Sequence, residues 1–263
     1  MSRKKYSTDI TKSQWSYIKK IIPQPKRHTQ RNIDRKEILN AVLYIVRTGC
    51  QWRNLPHDFP KWTSVYNVFY QWRNNGTWKI IHDYLVHKIR IAIGKKPKPT
   101  AGIIDSQSAK NDAGVCQETG YDAGKKVKGR KRHIVTDTLG LLQNVKVHSA
   151  DIQDQEGAKT LLQETKRANK KLKVVFGDSA YKRNKLPDWA LREGFVLQPV
   201  LRPVGVKGFV VLPKRWIVER TFAWISRHRR HSKDYERNPK TSETMIQIAM
   251  IGNMLNYLSK NNL

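Results

Sequence analysis

The sequence predicts an α/β protein in two parts. An all-helical domain covers residues 1–94 and, beyond a basic linker at 95–100, a mixed sheet flanked by helices covers 101–263. Three observations predict it. Apolar residues recur at helical spacing through the first part. Past Pro97 and Pro99 that periodicity gives way to short β-branched runs. Those runs come in the order three strands, a helix and a fourth strand, which suits a sheet with helices on its faces rather than a bundle.

In the first part, Asp34 and Glu37 have capping-box spacing, and Ile38, Val42, Ile45 and Val46 then form a stripe that Gly49 stops. A second stripe, Trp62, Val65, Tyr66, Phe69 and Trp72, closes at Gly76, and a third runs through Ile80, Ile81, Tyr84 and Leu85. The connector "GCQWRNLPHDFPKW" separates the first two helices. Three short helices with a basic, amide-rich face are the ingredients of a helix-turn-helix DNA reader. The DNA-facing candidates are Asn67, Gln71 and Arg73 with Asn74, and the aromatics read as core. A plain helical bundle is the alternative.

The linker "GKKPKPT" cannot be helical around its prolines. "AGIID" follows as a short apolar strand, and "KRHIVTDT" and "LLQNVKVHS" form a meander across "LG". "DQEGAKTLLQETKRANKK" is an amphipathic helix with Ala158, Leu161, Leu162 and Thr165 on one side. "LKVVFGD" and "GFVLQPV" are further strands, the chain is helical from about 214, and "TSETMIQIAMIGNMLNYLS" is a last helix capped by Thr241 or Ser242. This order matches a ribonuclease-H-like fold, in which the first and fourth strands are neighbours. Asp105 and Asp178, which end those strands, then emerge side by side.

Lys and Arg outnumber Asp and Glu by 51 to 21, a formal net charge of +30. Such a chain repels itself unless a polyanion neutralises it. No signal peptide is visible, and "ILNAVLYIV" is far too short to span a bilayer, so nucleic acid is the expected polyanion and no membrane is involved. Cys50 and Cys116 have neither zinc-ligand spacing nor a disulfide framework, which fits a cytoplasmic protein.

Nucleic-acid binding needs no acids, so strand-end acids in this chain point to metal chemistry. Mg²⁺ held by carboxylates activates an attacking oxygen and stabilises the leaving oxygen of a phosphodiester. Asp105 and Asp178 are the candidates; a strand-end Asp capping a turn is the plain alternative for each. Asp151 rivals Asp178, Asp154 reads as a helix cap and Asp137 as a hairpin-turn residue. A third acid stands in "KRWIVERTFAWISRHRR". Ile217, Val218, Thr221, Trp224, Ile225 and His228 share one helical stripe, and Glu219 projects away from it. Its plain alternative is an exposed pair with Arg215 at i,i+4, worth about 0.2–0.5 kcal/mol.

The blocks "IIDSQSAK", "GYDAGKKVKGRKRHIVTDTLG", "VVFGDSAYK", "PKRWIVERTFAWISRHRRHSKDYE" and "TSETMIQIAMIGNMLNYL" resemble those of bacterial insertion-sequence transposases of the family named after insertion sequence five. "TGCQWRNLPHDFPKWTSVYNVFYQWRNNGTW" resembles their helical N-terminal region. The resemblance runs in order along nearly the whole chain. It implies a DDE transposase with Asp105, Asp178 and Glu219 as the acids, independently of strand order. In the wider group's signature Tyr, Arg, Glu and a base succeed one another at set intervals; Arg215 and Glu219 match, Leu212 stands at the Tyr position, and the base falls one residue late at Arg227.

The resemblance further implies a bacterial, nucleoid-associated enzyme holding Mg²⁺, with Mn²⁺ as the alternative ion. Such an enzyme binds double-stranded DNA at the element's terminal repeats, hydrolyses the phosphodiester and joins the freed 3′-OH to target DNA as a homo-oligomer. In "GKKVKGRKRH", Lys125, Lys126, Lys128, Arg130, Lys131 and Arg132 are expected to track phosphates from a loop, and Arg215, Arg220 and Arg227 to position the scissile phosphate. Trp189, Trp216 and Trp224 read as core. A metal-dependent nuclease, or a catalytically silent transposase-derived DNA-binding protein, are the alternatives.

Overall fold

The structure is a computed structural model that describes residues 3–24, 33–112, 114, 116–183, 185–201, 212 and 214–263. It divides into two compact units. One comprises 1–94, 225–232 and 244–263, the other 95–224 and 233–243. The helical unit thus takes in C-terminal segments that the sequence expectation assigned to the second domain. The reason is apolar content: Ile246, Ile248, Ala249, Met250, Ile251, Met254, Leu255 and Leu258 are all buried, and that much apolar surface must lie in a core.

In the helical unit, α1 (Lys12–Ile18), α2 (Arg35–Thr48), α3 (Trp62–Asn74) and α4 (Thr77–Ala92) follow in order. The capping box lies at α1, where Thr11 and Gln14 bond reciprocally. At α2, Asp34 accepts from Lys36 N, while Glu37 bonds Arg3 and Asn40 instead of closing a box. Ile38, Val42, Ile45 and Val46 are fully buried, and Gly49 ends α2 in the left-handed region that glycine tolerates. Phe69, Trp72 and Trp78 are core, whereas Tyr66, Tyr70, Ile80 and Tyr84 are exposed.

The second unit carries β1 (Ala101–Lys110), β2 (Gly120–Asp122), β3 (Val127–Asp137), β4 (Leu142–Ser149), α5 (Asp154–Ala168), β5 (Val174–Gly177), α6 (Leu186–Arg192) and β6 (Val196–Pro199). The sheet order is β2-β3-β1-β5-β6, with β4 also paired to β3. β1 pairs antiparallel with β3 and parallel with β5, and β5 pairs parallel with β6. This is the α/β, ribonuclease-H-like arrangement that the element order predicts. Under α5 and α6 one face buries Ile104, Val135, Leu161, Leu162, Val175 and Leu197, with Trp189 packed against them. α7 spans Arg215–Ser226 and α8 Pro239–Lys260. α8 starts earlier than predicted: Asn238, not Thr241 or Ser242, accepts from Thr241 N at 2.9 Å, with Pro239 in the first turn. Among the described residues no helix is long and apolar enough to cross a membrane.

Candidate active site

The parallel register of β1 and β5 places Asp105 and Asp178. Ile103 pairs with Phe176, so Asp105 and Asp178, each two residues further on, lie level; Asp178 follows the end of β5, whereas Asp105 does not end its strand as expected, because β1 stays paired with β3 as far as Lys110. Asp105 Oδ1 accepts from Ser106 N at 2.7 Å, and Asp178 Oδ1 accepts from Ala180 N at 2.9 Å as it caps the 3₁₀ turn Ser179–Lys182. The second oxygen of each carboxylate has no hydrogen bond among the described residues. Burial, helped by the neighbouring Asp178 charge, raises Asp105 to about 6 against the pull of Ser106 N–H, Arg215 and Lys125. Two close carboxylates, each with an open oxygen and one of them hard to ionise without a counter-charge, fit a hard divalent cation.

Glu219 lies on the exposed side of α7, its side chain 52% accessible and 3.6 Å from Arg215. Ile217, Val218, Thr221 and Ile225 are buried on the stripe opposite. Arg215 is close enough to act on Asp105, so the first turn of α7 is near the acids. Among the described residues no three His, Cys, Asp or Glu side chains converge as a ligand group. The structure therefore brings Asp105 and Asp178 together and leaves Glu219 on Arg215.

Asp151 is exposed and accepts from Ser149 Oγ. Asp154 is not the cap of α5, which is Gln153; it stands in the first turn, 2.9 Å from both Lys131 Nζ and Ser106 Oγ. Asp137 does organise the β3–β4 turn, accepting from Leu139 N and Leu141 N.

The basic run needs a correction. It is not a loop: from Val127 it is β3, covered on both faces. Arg130 is fully buried and donates to the carbonyls of Gln117, Glu236 and Arg237, with Asp234 at 3.4 Å. Lys131 joins Asp154 and Asp122, and Arg132 donates to Lys233 O. These three cations are buried and bonded within the fold rather than exposed on a loop. Lys125, Lys126 and Lys128 are exposed at the β2–β3 hairpin, and Lys125 Nζ reaches Ser106 O at 3.1 Å.

The other arginines separate too. Arg220 donates to Leu139 O, and its guanidinium sits 4.5 Å from the Trp216 ring and 4.7 Å from that of Trp224. Trp216 is 42% exposed rather than core, because it lies one position off the buried stripe. Arg227 is exposed and belongs to the helical unit. There, Asn67 and Gln71 are exposed on α3, and Arg73 lies over the Tyr70 ring at 4.4 Å. The sequence reading missed Gln107, two residues past Asp105 and on the same strand face, whose buried side-chain oxygen has no partner among the described residues. Strand alternation from Asp105 was the signal that could have found it.

A family model described as "Transposase DDE domain" matches residues 96–254, and one described as "Putative transposase of IS4/5 family" matches residues 10–82. A relative from Burkholderia cepacia, "Insertion element IS402 uncharacterized 16.2 kDa protein", is 27% identical over 85 residues. That match covers 30% of this chain and 58% of the relative. The first model takes in Asp105, Asp178 and Glu219, and the second takes in the exposed face of α3. The chain therefore belongs to the DDE-domain transposases of IS4/5 type.

Proposed function

We propose that this protein binds the terminal repeats of its own insertion element, hydrolyses a phosphodiester at each end and transfers the freed 3′-OH to target DNA. The observation that carries the proposal is the level placement of Asp105 and Asp178 on neighbouring parallel strands, each with an oxygen unengaged. Those two carboxylates would hold Mg²⁺ or Mn²⁺, with Glu219 joining from α7. When bound, the metal supplies Lewis-acid stabilisation of the charge on the attacking and leaving oxygens.

The chain's own residues do the rest. Arg215 pairs with Glu219, and its charge favours the ionised Asp105 carboxylate. Its i,i+4 pair with Glu219 is worth only about 0.2–0.5 kcal/mol, so a phosphate that captures the guanidinium releases Glu219 toward the other acids. Lys125, Lys126 and Lys128 on the β2–β3 hairpin supply phosphate contacts beside Asp105. Asn67, Gln71 and Arg73 on α3 read the repeat. Holding two ends at once calls for more than one copy.

A second reading has one observation in its favour: Glu219 stays on Arg215, and no three-acid group is formed among the described residues. It is a DNA-binding protein without catalysis. End-labelled duplexes carrying the element's terminal repeat, incubated with the full chain, Mg²⁺ and a target plasmid, separate the possibilities. Cleavage followed by joined product supports the transposase. Cleavage without joining points to a nuclease, and binding without cleavage in Mg²⁺ or Mn²⁺ to the silent protein.

A further inference from the structure

Behind the acids, on the sheet face that α5 and α6 cover, lies a buried polar chain that the proposed chemistry does not use. Ile104 belongs to the core of that face, so strand alternation turns Ser106 toward it and Asp105 away. His148 Nδ1 is 2.8 Å from Ser149 O, His148 Nε2 is 2.9 Å from His133 Nδ1, and His133 Nε2 is 3.0 Å from the Tyr181 hydroxyl. A carbonyl only accepts, which fixes every bond in turn for neutral rings. His148 donates to Ser149, His133 to His148 and Tyr181 to His133. Burial keeps both imidazoles neutral, lowering His133 to about 3 and His148 in the same direction.

The chain reaches both acids. Tyr181 is buried in the 3₁₀ turn that Asp178 caps, and its backbone N donates to Asp178 O at 3.3 Å. Its hydroxyl also lies against Ser106. Ser106 Oγ donates to Asp154 at 2.9 Å and accepts from Lys125 at 3.1 Å, and Lys131 holds Asp154 at 2.9 Å. Two glycines permit this close packing. A Cβ on Gly177 would stand 2.7 Å from the Tyr181 ring, and one on Gly157 would stand 2.4 Å from His148 Nε2.

We propose that Tyr181, backed by His133 and His148, and Ser106, backed by Asp154, are positioning residues that set the spacing of the Asp105 and Asp178 carboxylates for a divalent cation. The proposal rests on the metal centre assigned under the proposed function. Both hydroxyls are engaged within the chain, Tyr181 with His133 and Ser106 with Asp154 and Lys125. A buried, fully bonded polar chain has a single low-energy arrangement, and it fixes the backbone and rotamers of whatever is attached to it. Outer partners of metal ligands act in this way, and their loss costs about 10–100-fold in metal affinity.

The test is Mn²⁺ binding to the full chain, read by electron paramagnetic resonance with and without terminal-repeat DNA and with the DNA-only signal subtracted. Wild type, Asp178→Asn, Tyr181→Phe and Ser106→Ala are compared, alongside thermal melting and Mg²⁺ titrations of end cleavage. Asp178→Asn should abolish site binding. Tyr181→Phe and Ser106→Ala should each weaken it about tenfold, with cleavage reduced more at low Mg²⁺ than at saturation and DNA affinity unchanged. Ser106→Ala removes one oxygen and answers the question should Tyr181→Phe fail to fold. Wild-type affinity in both variants, even with lower melting temperatures, overturns the positioning role and leaves the metal centre standing. Absence of Mn²⁺ binding in the wild type overturns the metal centre and this role with it.

Discussion

Glu243 gives a test of the sheet unit that is independent of DNA. It stands at the start of α8 and accepts from Val147 N at 3.0 Å. Burial raises its carboxyl from 4.5 to about 7, with the nearby Glu164 adding to the rise against Val147 N–H, Lys146 and Lys240. The folded value lies above the unfolded one, so Glu243 favours the fold fully below about pH 4.5 and loses that contribution as pH rises through 7. The interval from 4.5 to about 7, at about 1.36 kcal/mol per pH unit, corresponds to about 3 kcal/mol of destabilisation at pH 8. Glu243→Gln keeps an acceptor for Val147 N and removes the charge. It should stabilise the chain by about 1–3 kcal/mol at pH 8 and by less than about 1 kcal/mol at pH 5. Urea unfolding of both proteins at the two pH values, followed by tryptophan fluorescence, measures the difference. A gain that is equal at pH 5 and pH 8, or no gain at pH 8, would refute the assignment of a buried, protonatable Glu243.

Asp178→Ala should lower metal-dependent end cleavage at least about a hundredfold, the scale of losing several kcal/mol of charge stabilisation. Asp151→Ala, on an exposed turn, should leave it near wild type; the reverse pattern in a gel cleavage assay would reassign the second acid. Arg130→Met should cost about 3–5 kcal/mol by stranding buried Asp234, a loss of roughly 10 °C in melting temperature. Exposed Lys128→Ala should leave melting unchanged and lower the slope of log affinity against log salt by about 1 in a DNA-binding titration. Gly157→Ala should destabilise by about 1–3 kcal/mol despite alanine's better helix propensity, because its Cβ meets His148 and His133; calorimetry showing a gain would contradict that packing.

The placement of Asp105 and Asp178 was legible because it depends on element order. Once three strands, a helix and a strand were read, the pairing of β1 with β5 put the two acids level, although β1 runs on past Asp105 to Lys110. The exposure of Glu219 was legible for a similar reason, since the apolar stripe of α7 is a local periodicity. The fate of "KGRKRH" was not. Arg130 finds Asp234 and the carbonyls of Glu236 and Arg237 across more than a hundred residues, and nothing in the local pattern records such partners. A strand covered on both faces loses the alternation that separates inside from outside, and a run of cations there reads as surface. The C-terminal helix failed differently. Its apolar residues were visible, but which unit they fill depends on tertiary contacts that sequence order does not carry.

That correction changes what the charge of +30 is for. Arg130, Lys131 and Arg132 are consecutive and buried, and each has a protein partner, so their side chains are committed to the fold. Removing one partner from a buried pair costs several kcal/mol, whereas an exposed cation contributes mainly through counterion release. Lys131 also connects the two uses of charge. Through Asp154 and Ser106 it is linked, two hydrogen bonds away, to the residue beside Asp105. Substitutions in this run will therefore abolish DNA processing for two unrelated reasons. Loss of activity alone cannot assign a phosphate contact here; a change in salt dependence, with melting temperature held, is the observation that can.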